Sequence, residues 1–352
     1  LRVLGIETSC DDTSIACLDG GRVLACCNAG QEAFHQQYGG VVPEIAARSH
    51  LEAIDALLTM TLAEAEWTLK DVDLIAVTQG PGLLGSLLVG ITTAKTLALL
   101  TGKPLIGVNH LLAHTVAPLL ATPGYDMPLP ILTLIVSGGH TELILAREPG
   151  QWELLGSTVD DAAGELLDKV GRELGLGFPA GPAIDKLSER GNPSRFDLPR
   201  PMLHSKDYDF SFSGLKTAAL MKFGLLGGPR QPGDQRLMPD PATALKPDDL
   251  PDACASLQHA VMDVLVAKTM RAAAEHGAAS VAIGGGVAAN SELRRRLSDE
   301  CDRIGATFHA PPLEWCMDNG AMIALAGAIA YEQRGADGLD LDPFATWEWP
   351  RD

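Results

Sequence analysis

Positive charge is scarce in this 352-residue chain: 27 Lys and Arg stand against 45 Asp and Glu, for a formal net charge of −18. That balance excludes generic, charge-driven binding to nucleic acid or to an anionic membrane, because both need cations to neutralise phosphates. Any RNA partner therefore requires a local basic patch or a helper subunit. Paired cysteines are missing as well. The seven cysteines, at 10, 17, 26, 27, 254, 301 and 316, form no C-x-x-C pair and no even framework, a pattern of reduced thiols in a cytosolic protein. The opening residues Leu-Arg-Val-Leu-Gly-Ile-Glu-Thr run straight into a strand pattern with no signal peptide, and Gly, Pro or polar residues interrupt every apolar stretch of membrane-spanning length. A cytoplasmic protein is expected.

One more absence is chemical. His110 and His114 are separated by Leu111, Leu112 and Ala113, so the glutamate of an H-E-x-x-H metalloprotease helix is not there, which argues against a metalloendopeptidase. What is there is an H-x-x-x-H pair. On a helix, two imidazoles four residues apart share one face and can grip one ion. A catalytic metal needs a third protein ligand and an open position.

The rest of the chain alternates strand and helix signals. Arg2 to Glu7 and Thr13 to Leu18 read as strands around the polar turn Thr8–Asp12, and the turn signal Asp19-Gly20-Gly21 leads to a third strand, Arg22 to Asn28. A helix from Pro43 to about Glu66, a strand Leu74 to Thr78, a glycine loop Gly80–Ser86 opening a helix to Leu100, and a strand Leu105 to Val108 lead to the histidine helix. After the proline-bearing connector 123–130 a similar order restarts. Strands Ile131 to Val136, Thr141 to Ala146 and Trp152 to Val159 come first, and a long helical and irregular region follows. Strand Ser280 to Ile283, the glycines Gly284-Gly285-Gly286 and a helix from Ser291 come next, then a strand near Ala306 to His309 and an apolar helix to about Tyr331.

The halves match in pattern, not identity, as a degenerate duplication does. Strand-turn-strand Ile6–Ile15 answers Ile135–Leu143, and the His110 helix answers the helix that opens near Asp318. Two similar α/β lobes, residues 1–125 and 126–352, are expected to face each other across a cleft. The repeat thus points to Asp318 as a candidate third ligand; two histidines and an aspartate suit iron(II), zinc or manganese more than copper(I). Ser137-Gly138-Gly139-His140 and Gly284–Gly286 allow close backbone approach to a phosphate or nucleotide. Acids gather in turns, at Glu7, Asp11 and Asp12 and again at Asp160, Asp161, Glu165, Asp168 and Asp185. Of these, Asp161, Glu165 and Asp168 would share one helix face. The proline- and glycine-rich stretch 223–252 is expected to be a flexible exposed insertion outside the catalytic apparatus.

Several motifs coincide with one known pattern: Gly5-Ile6-Glu7-Thr8-Ser9-Cys10-Asp11, Tyr38-Gly39-Gly40-Val41-Val42-Pro43-Glu44, Gly80-Pro81-Gly82-Leu83, Asn109-His110 with His114, Val136-Ser137-Gly138-Gly139-His140-Thr141, Phe210-Ser211-Phe212-Ser213-Gly214-Leu215-Lys216 and Asp318-Asn319-Gly320-Ala321-Met322. Running from residue 2 to about 331, they resemble the bacterial tRNA threonylcarbamoyladenosine transferases, the TsaD family. The resemblance implies the duplicated ASKHA fold of actin, sugar kinases and heat-shock chaperone ATPases. It implies transfer of a threonylcarbamoyl group from threonylcarbamoyl-AMP to N6 of the adenosine 3′ of the anticodon (position 37), in tRNAs reading codons that begin with A, with release of AMP.

By the same resemblance His110, His114 and Asp318 would hold one divalent metal, iron(II) or else zinc; chemically, its open positions are expected to take the substrate's phosphate or carbonyl oxygen. Ile135, Val136, Ser137, Gly138, Gly139, Asp168, Gly181, Asp185 and Asn290 would hold the adenylate, and Asp11 and Asp12 would position or deprotonate the incoming amine. The implied partners are tRNA, a TsaB-like paralogous ASKHA subunit, a TsaE-like P-loop ATPase and the synthase that supplies threonylcarbamoyl-AMP. Asp12 stands where the family usually has Glu, one methylene longer, and Ala180 where Pro179-Ala180-Gly181-Pro182 usually carries a glycine. The rival readings are a non-catalytic nucleotide-binding scaffold or a chaperone-like ATPase of the same fold. On tRNA, Arg294-Arg295-Arg296 or Arg200, Lys206, Lys216 and Lys222 would supply contacts, and the chain alone is expected to bind tRNA poorly.

Overall fold

The computed structural model describes residues 1–35, 38, 40–124, 126–226 and 245–347. Two five-stranded sheets organise them. The first, in the order β3-β2-β1-β4-β5, contains β1 (Arg2–Glu7), β2 (Asp12–Asp19), β3 (Arg22–Gly30), β4 (Leu74–Gly80) and β5 (Leu105–Asn109). The second, in the order β10-β9-β6-β7-β8, contains β6 (Ile131–Val136), β7 (Thr141–Glu148), β8 (Gln151–Ser157), β9 (Ser280–Gly284) and β10 (Thr307–His309). In each, the first strand of the half pairs antiparallel with its hairpin neighbour and parallel with the strand on its other side. The second sheet therefore repeats the first, and the α/β duplication read from pattern is present as topology.

Around the first sheet lie α1 (Glu32–His35), α2 (Pro43–Glu64), α3 (Leu84–Thr101) and α4 (His110–Val116). The second half contributes α5 (Ala163–Glu173), α6 (Gly181–Ser188), α7 (Ser213–Lys222), α8 (Leu250–His276), α9 (Ser291–Ile304) and α10 (Gly320–Arg334). Strand alternation sorts β1 between two cores. Leu4 and Ile6 pack with residues of α2 and α3, whereas Val3 packs with Ala113 and Val116 of α4 and Met322 and Ile323 of α10. Helix α3 is long and apolar enough to cross a membrane by length and composition, yet Leu87, Ile91, Ala94 and Leu97 along it belong to the first of these cores.

Helix α10 crosses back from the second half to lie on β1, β2, β4 and β5. Two glycines allow this close approach. A Cβ on Gly320 would sit 2.7 Å from the Ala16 nitrogen and 2.9 Å from the Gly5 carbonyl oxygen, and a Cβ on Gly5 would in turn overlap the Gly320 carbonyl. The tail beyond α10 stays with the first sheet. Leu341 is buried there, Phe344 N donates to Gln79 O (3.2 Å), and Gly82 N donates to Ala345 O (3.2 Å). Helix α4 is the bridge between halves: Ala113 and Val116 face the first sheet, while Leu111 packs on Ile135 and Ile144 of the second.

The two ends of the stretch 223–252 are packed rather than flexible, contrary to what its composition suggested. Phe223 is fully buried, edge-on to Phe196 with ring centroids 5.1 Å apart. At the other end Leu250, Pro251 and Asp252 form the first turn of α8, where a proline forfeits no hydrogen bond. Residues 227–244 of that stretch lie outside the described residues.

Candidate metal centre and nucleotide cavity

The metal-ligand candidates come from the short helix α4 and from the turn before α10. Strand β5 ends at Asn109, whose side-chain oxygen accepts from Leu111 N (2.9 Å) and Leu112 N (3.1 Å) and so caps α4. His110 and His114 then project from the same helix face, their ring centroids 4.8 Å apart. Asp318 comes from the turn that opens α10, where Asn319 caps the helix by accepting from Met322 N (2.9 Å). The Gly5–Gly320 contact seats that turn against β1, and Asp318 Oδ1 lies 3.0 Å from His114 Nε2 and 3.5 Å from His110 Nε2. Ligand atoms of the three side chains all fall within 4.8 Å of one another.

This donor set fits a divalent ion. Both imidazoles turn Nε2 toward one carboxylate oxygen, and His114 Nδ1 is buried with no hydrogen-bond partner among the described residues. The local electrostatics are those of a charged cluster. Burial works against charge on His110, but Asp318 and Glu7 outweigh it and raise its pKa to about 9. Burial also works against the Asp318 carboxylate, and His110 and His114 nonetheless hold it well below the usual range.

The acidic turn lies beside this cluster. Its backbone is fixed from two helices: His50 of α2 reaches the Cys10 carbonyl through Nε2 (2.9 Å), and Ser86 of α3 donates to the same oxygen (3.2 Å). Burial, with repulsion from Asp318 and Asp11, pushes the Asp12 carboxyl up to about 8. Burial likewise raises the Cys10 thiol far above its ordinary value, which removes it as a nucleophile at neutral pH.

The second half provides a cavity of about 470 Å³. Gly138, Asp168, Gly181, Asp185 and Asn290 line it together with Met317. Asp168 accepts from Ala180 N (2.8 Å) and Gly181 N (3.4 Å), which ties the 179–182 turn to α5. Ala180 has φ −92° and needs no glycine, and its methyl group packs against Gly171. Asp185 accepts from Asn290 Nδ2 (3.1 Å), Ser291 N (3.0 Å) and Ser291 Oγ (2.9 Å), while Asn290 Oδ1 caps α9 through Leu293 N (2.9 Å).

Ile135 and Val136 are fully buried in the cores on β6 and offer only backbone to this region. Ser137 closes the neighbouring turn, its hydroxyl accepting from Gly139 N (3.3 Å) and His140 N (3.1 Å). The proposed helix face of acids is not formed as expected, because α5 begins at Ala163 and Asp161 precedes it. Asp161 instead pairs with Lys216 and, at 3.5 Å, with Lys169.

The sequence grouped Glu7 with the acidic turn but not with its partner, and left Met317 unassigned. Glu7 is bonded to His110 across 103 positions, a separation at which no local spacing rule operates. Met317 joins the two sites, lining the cavity while its neighbour Asp318 faces the histidines. Among the cations suggested for tRNA, Arg294 donates to Ala288 O and Pro311 O, and Arg296 pairs with Asp263 and Glu292. Arg200 pairs with Asp263 and Lys216 with Asp161, which leaves Arg295, Lys206 and Lys222 exposed, Arg295 with a surface pair to Asp299.

Comparison with known proteins decides the family. The profile of TsaD, tRNA N6-adenosine threonylcarbamoyltransferase, matches residues 22–325. The chain belongs to the TsaD family. A TsaD relative from Ralstonia pickettii, named tRNA N6-adenosine threonylcarbamoyltransferase, is 48% identical over 98% of this chain and 97% of its own. Another, of the same name, from Thermosipho africanus is 46% identical over 94% of each. Among solved structures, the activator of the 2-hydroxyisocaproyl-CoA dehydratase from Clostridium difficile with bound ADPNP superposes with a TM-score of 0.51 at 12% identity, covering 96% of this chain and 99% of that one. That likeness is one of fold alone, and the fold is the two-lobed ASKHA architecture. As a TsaD-family transferase, the chain forms N6-threonylcarbamoyladenosine in tRNA.

Proposed function

We propose that the adenylate of threonylcarbamoyl-AMP binds in the cavity of the second lobe, with its reactive carbonyl toward His110, His114 and Asp318. One observation carries this reading: Met317 walls the cavity and the adjacent Asp318 faces both histidines, so a donor seated there places its acyl phosphate beside the metal ligands. Asp168, Gly181, Asp185 and Asn290 bind the nucleoside part, and the turn Ser137–Gly139 brings backbone to its phosphate. The bound ion, iron(II) or alternatively zinc, supplies Lewis-acid polarisation of the donor's oxygens.

The acceptor is N6 of the adenosine 3′ of the anticodon, at position 37 of tRNAs reading codons that begin with A. An exocyclic amine is a weak nucleophile, so its proton must be received as the carbon–nitrogen bond forms and the carbon–oxygen bond to phosphate breaks, releasing AMP. Asp12 is our choice for that role, with Asp11 orienting the amine. Burial with Asp318 and Asp11 raises its pKa, and a cation bound beside it would favour the ionised form that accepts a proton. The family resemblance supports a TsaB-like paralogue and a TsaE-like P-loop ATPase as partners, a synthase supplying threonylcarbamoyl-AMP, and a cytoplasmic location. The net charge of −18 supports weak tRNA binding by this chain alone.

The test supplies threonylcarbamoyl-AMP and unmodified tRNA to the protein with its partners and measures the modified nucleoside. Loss of product in His110→Ala and Asp318→Ala is expected. Product at the wild-type rate in both variants overturns the metal reading.

A further inference from the structure

The metal reading accounts for three polar side chains at the centre of the molecule and leaves a fourth unused. Glu7, the last residue of β1, has no solvent exposure. Its two oxygens are saturated from within: Oε1 accepts from Ser9 N, and Oε2 accepts from Thr78 Oγ1 (2.6 Å) and His110 Nδ1 (3.1 Å). No lysine or arginine is paired with it among the described residues. A buried carboxylate is expensive unless paired, and a neutral amide or an apolar residue would serve a plain core more cheaply.

We propose that Glu7 is the positioning residue of the metal centre, holding the His110 ring so that Nδ1 carries the proton and Nε2 presents its lone pair to the ion. The inference rests on the metal reading of His110, His114 and Asp318. A ring nitrogen bonded to a carboxylate keeps its hydrogen, and the opposite nitrogen is then free to ligate. Here that opposite nitrogen, Nε2, is the one 3.5 Å from Asp318 Oδ1. Ser9 Oγ lies 3.3 Å from the same Nδ1, but the ionised carboxylate is both nearer and the stronger acceptor.

The contrast with His114 makes the role specific. His114 Nδ1 has no partner among the described residues, so no hydrogen bond behind that ring fixes its tautomer, whereas His110 is held by a charge anchored to two further donors. Glu7 touches neither cavity nor donor. It acts through His110.

The experiment titrates the full chain, first stripped of metal, with zinc(II), and compares wild type with Glu7→Gln and Thr78→Val. Glu7→Gln is expected to weaken zinc binding by about 10–100-fold, with AMP binding to the cavity unchanged. Thr78→Val, which removes a different hydrogen bond from the same carboxylate, is expected to change zinc affinity by less than about threefold, a control for loosened packing alone. A wild-type protein that binds neither zinc(II) nor iron(II) overturns the metal reading itself. Zinc binding by wild type and equal binding by Glu7→Gln overturn the role of Glu7 and leave the metal reading standing. Should Glu7→Gln not fold, nitrogen-15 NMR of histidine-labelled, zinc-loaded wild type decides the matter. A protonated His110 Nδ1 supports the role, and an unprotonated one overturns it.

Discussion

The turn after β1 and the turn after β6 hold matching places in two sheets of one topology, yet they carry opposite chemistry. Thr8–Asp12 is acidic, anchored by side chains of α2 and α3, and sits beside imidazoles. Ser137–Gly139 has no charged side chain and closes on its own serine hydroxyl, which leaves backbone next to the cavity. On the proposed reading, the same scaffold would take a cation on one side and an anion on the other. A transferase needs that sorting, because its leaving group is a phosphate and its attacking group must give up a proton.

If the two turns serve separable tasks, changes in one lobe should spare the other. The largest effect is expected from His110→Ala or Asp318→Ala. Product formation should fall by at least about 10²-fold and metal binding should vanish, while calorimetry finds AMP affinity within a few-fold of wild type. The mirror experiment is Gly164→Ala, whose Cβ would lie 2.5 Å from the Ser137 carbonyl oxygen and displace the neutral turn. There AMP affinity should drop by about 10-fold at unchanged zinc affinity. A parallel loss of both ligands in either variant would dissolve the comparison.

Smaller effects sharpen it. Asp12 has its folded pKa raised to about 8, so in metal-free protein the folded state holds a proton that the unfolded state has lost above the ordinary value of 3.8. Its presence therefore costs nothing near pH 4 and costs progressively more up to pH 8. Asp12→Asn should stabilise the metal-free chain by on the order of a few kcal/mol at pH 8 and by almost nothing near pH 4, read from denaturant midpoints. Leu341→Ala removes a buried side chain of the tail over Gly107 and should cost about 2 kcal/mol, lowering Tm with zinc affinity intact.

How much of this was legible in the chain differs by distance along it. The strand-turn-strand beginnings of both halves, the capped histidine helix and the glycine turns are local, and they follow from alternation, caps and turn residues within a few positions. The loop expected at 223–252 was misread at its ends because composition does not register burial: Phe223 and the first turn of α8 are ordered by packing. The run Arg294-Arg295-Arg296 looked like a nucleic-acid patch, whereas Arg294 and Arg296 are spent on carbonyls and carboxylates that only the fold brings near.

By itself, then, the sequence determined the duplicated α/β order, the family motifs and the donor types at His110, His114 and Asp318. Tertiary structure alone decided that α10 returns to the first sheet, that Met317 walls the cavity beside Asp318, and that Glu7 meets His110. The physical reason is separation. His114 and Asp318 are 204 positions apart, and no backbone periodicity reaches that far; the packing of α10 on α4, and on β1 through Gly5 and Gly320, brings their elements together.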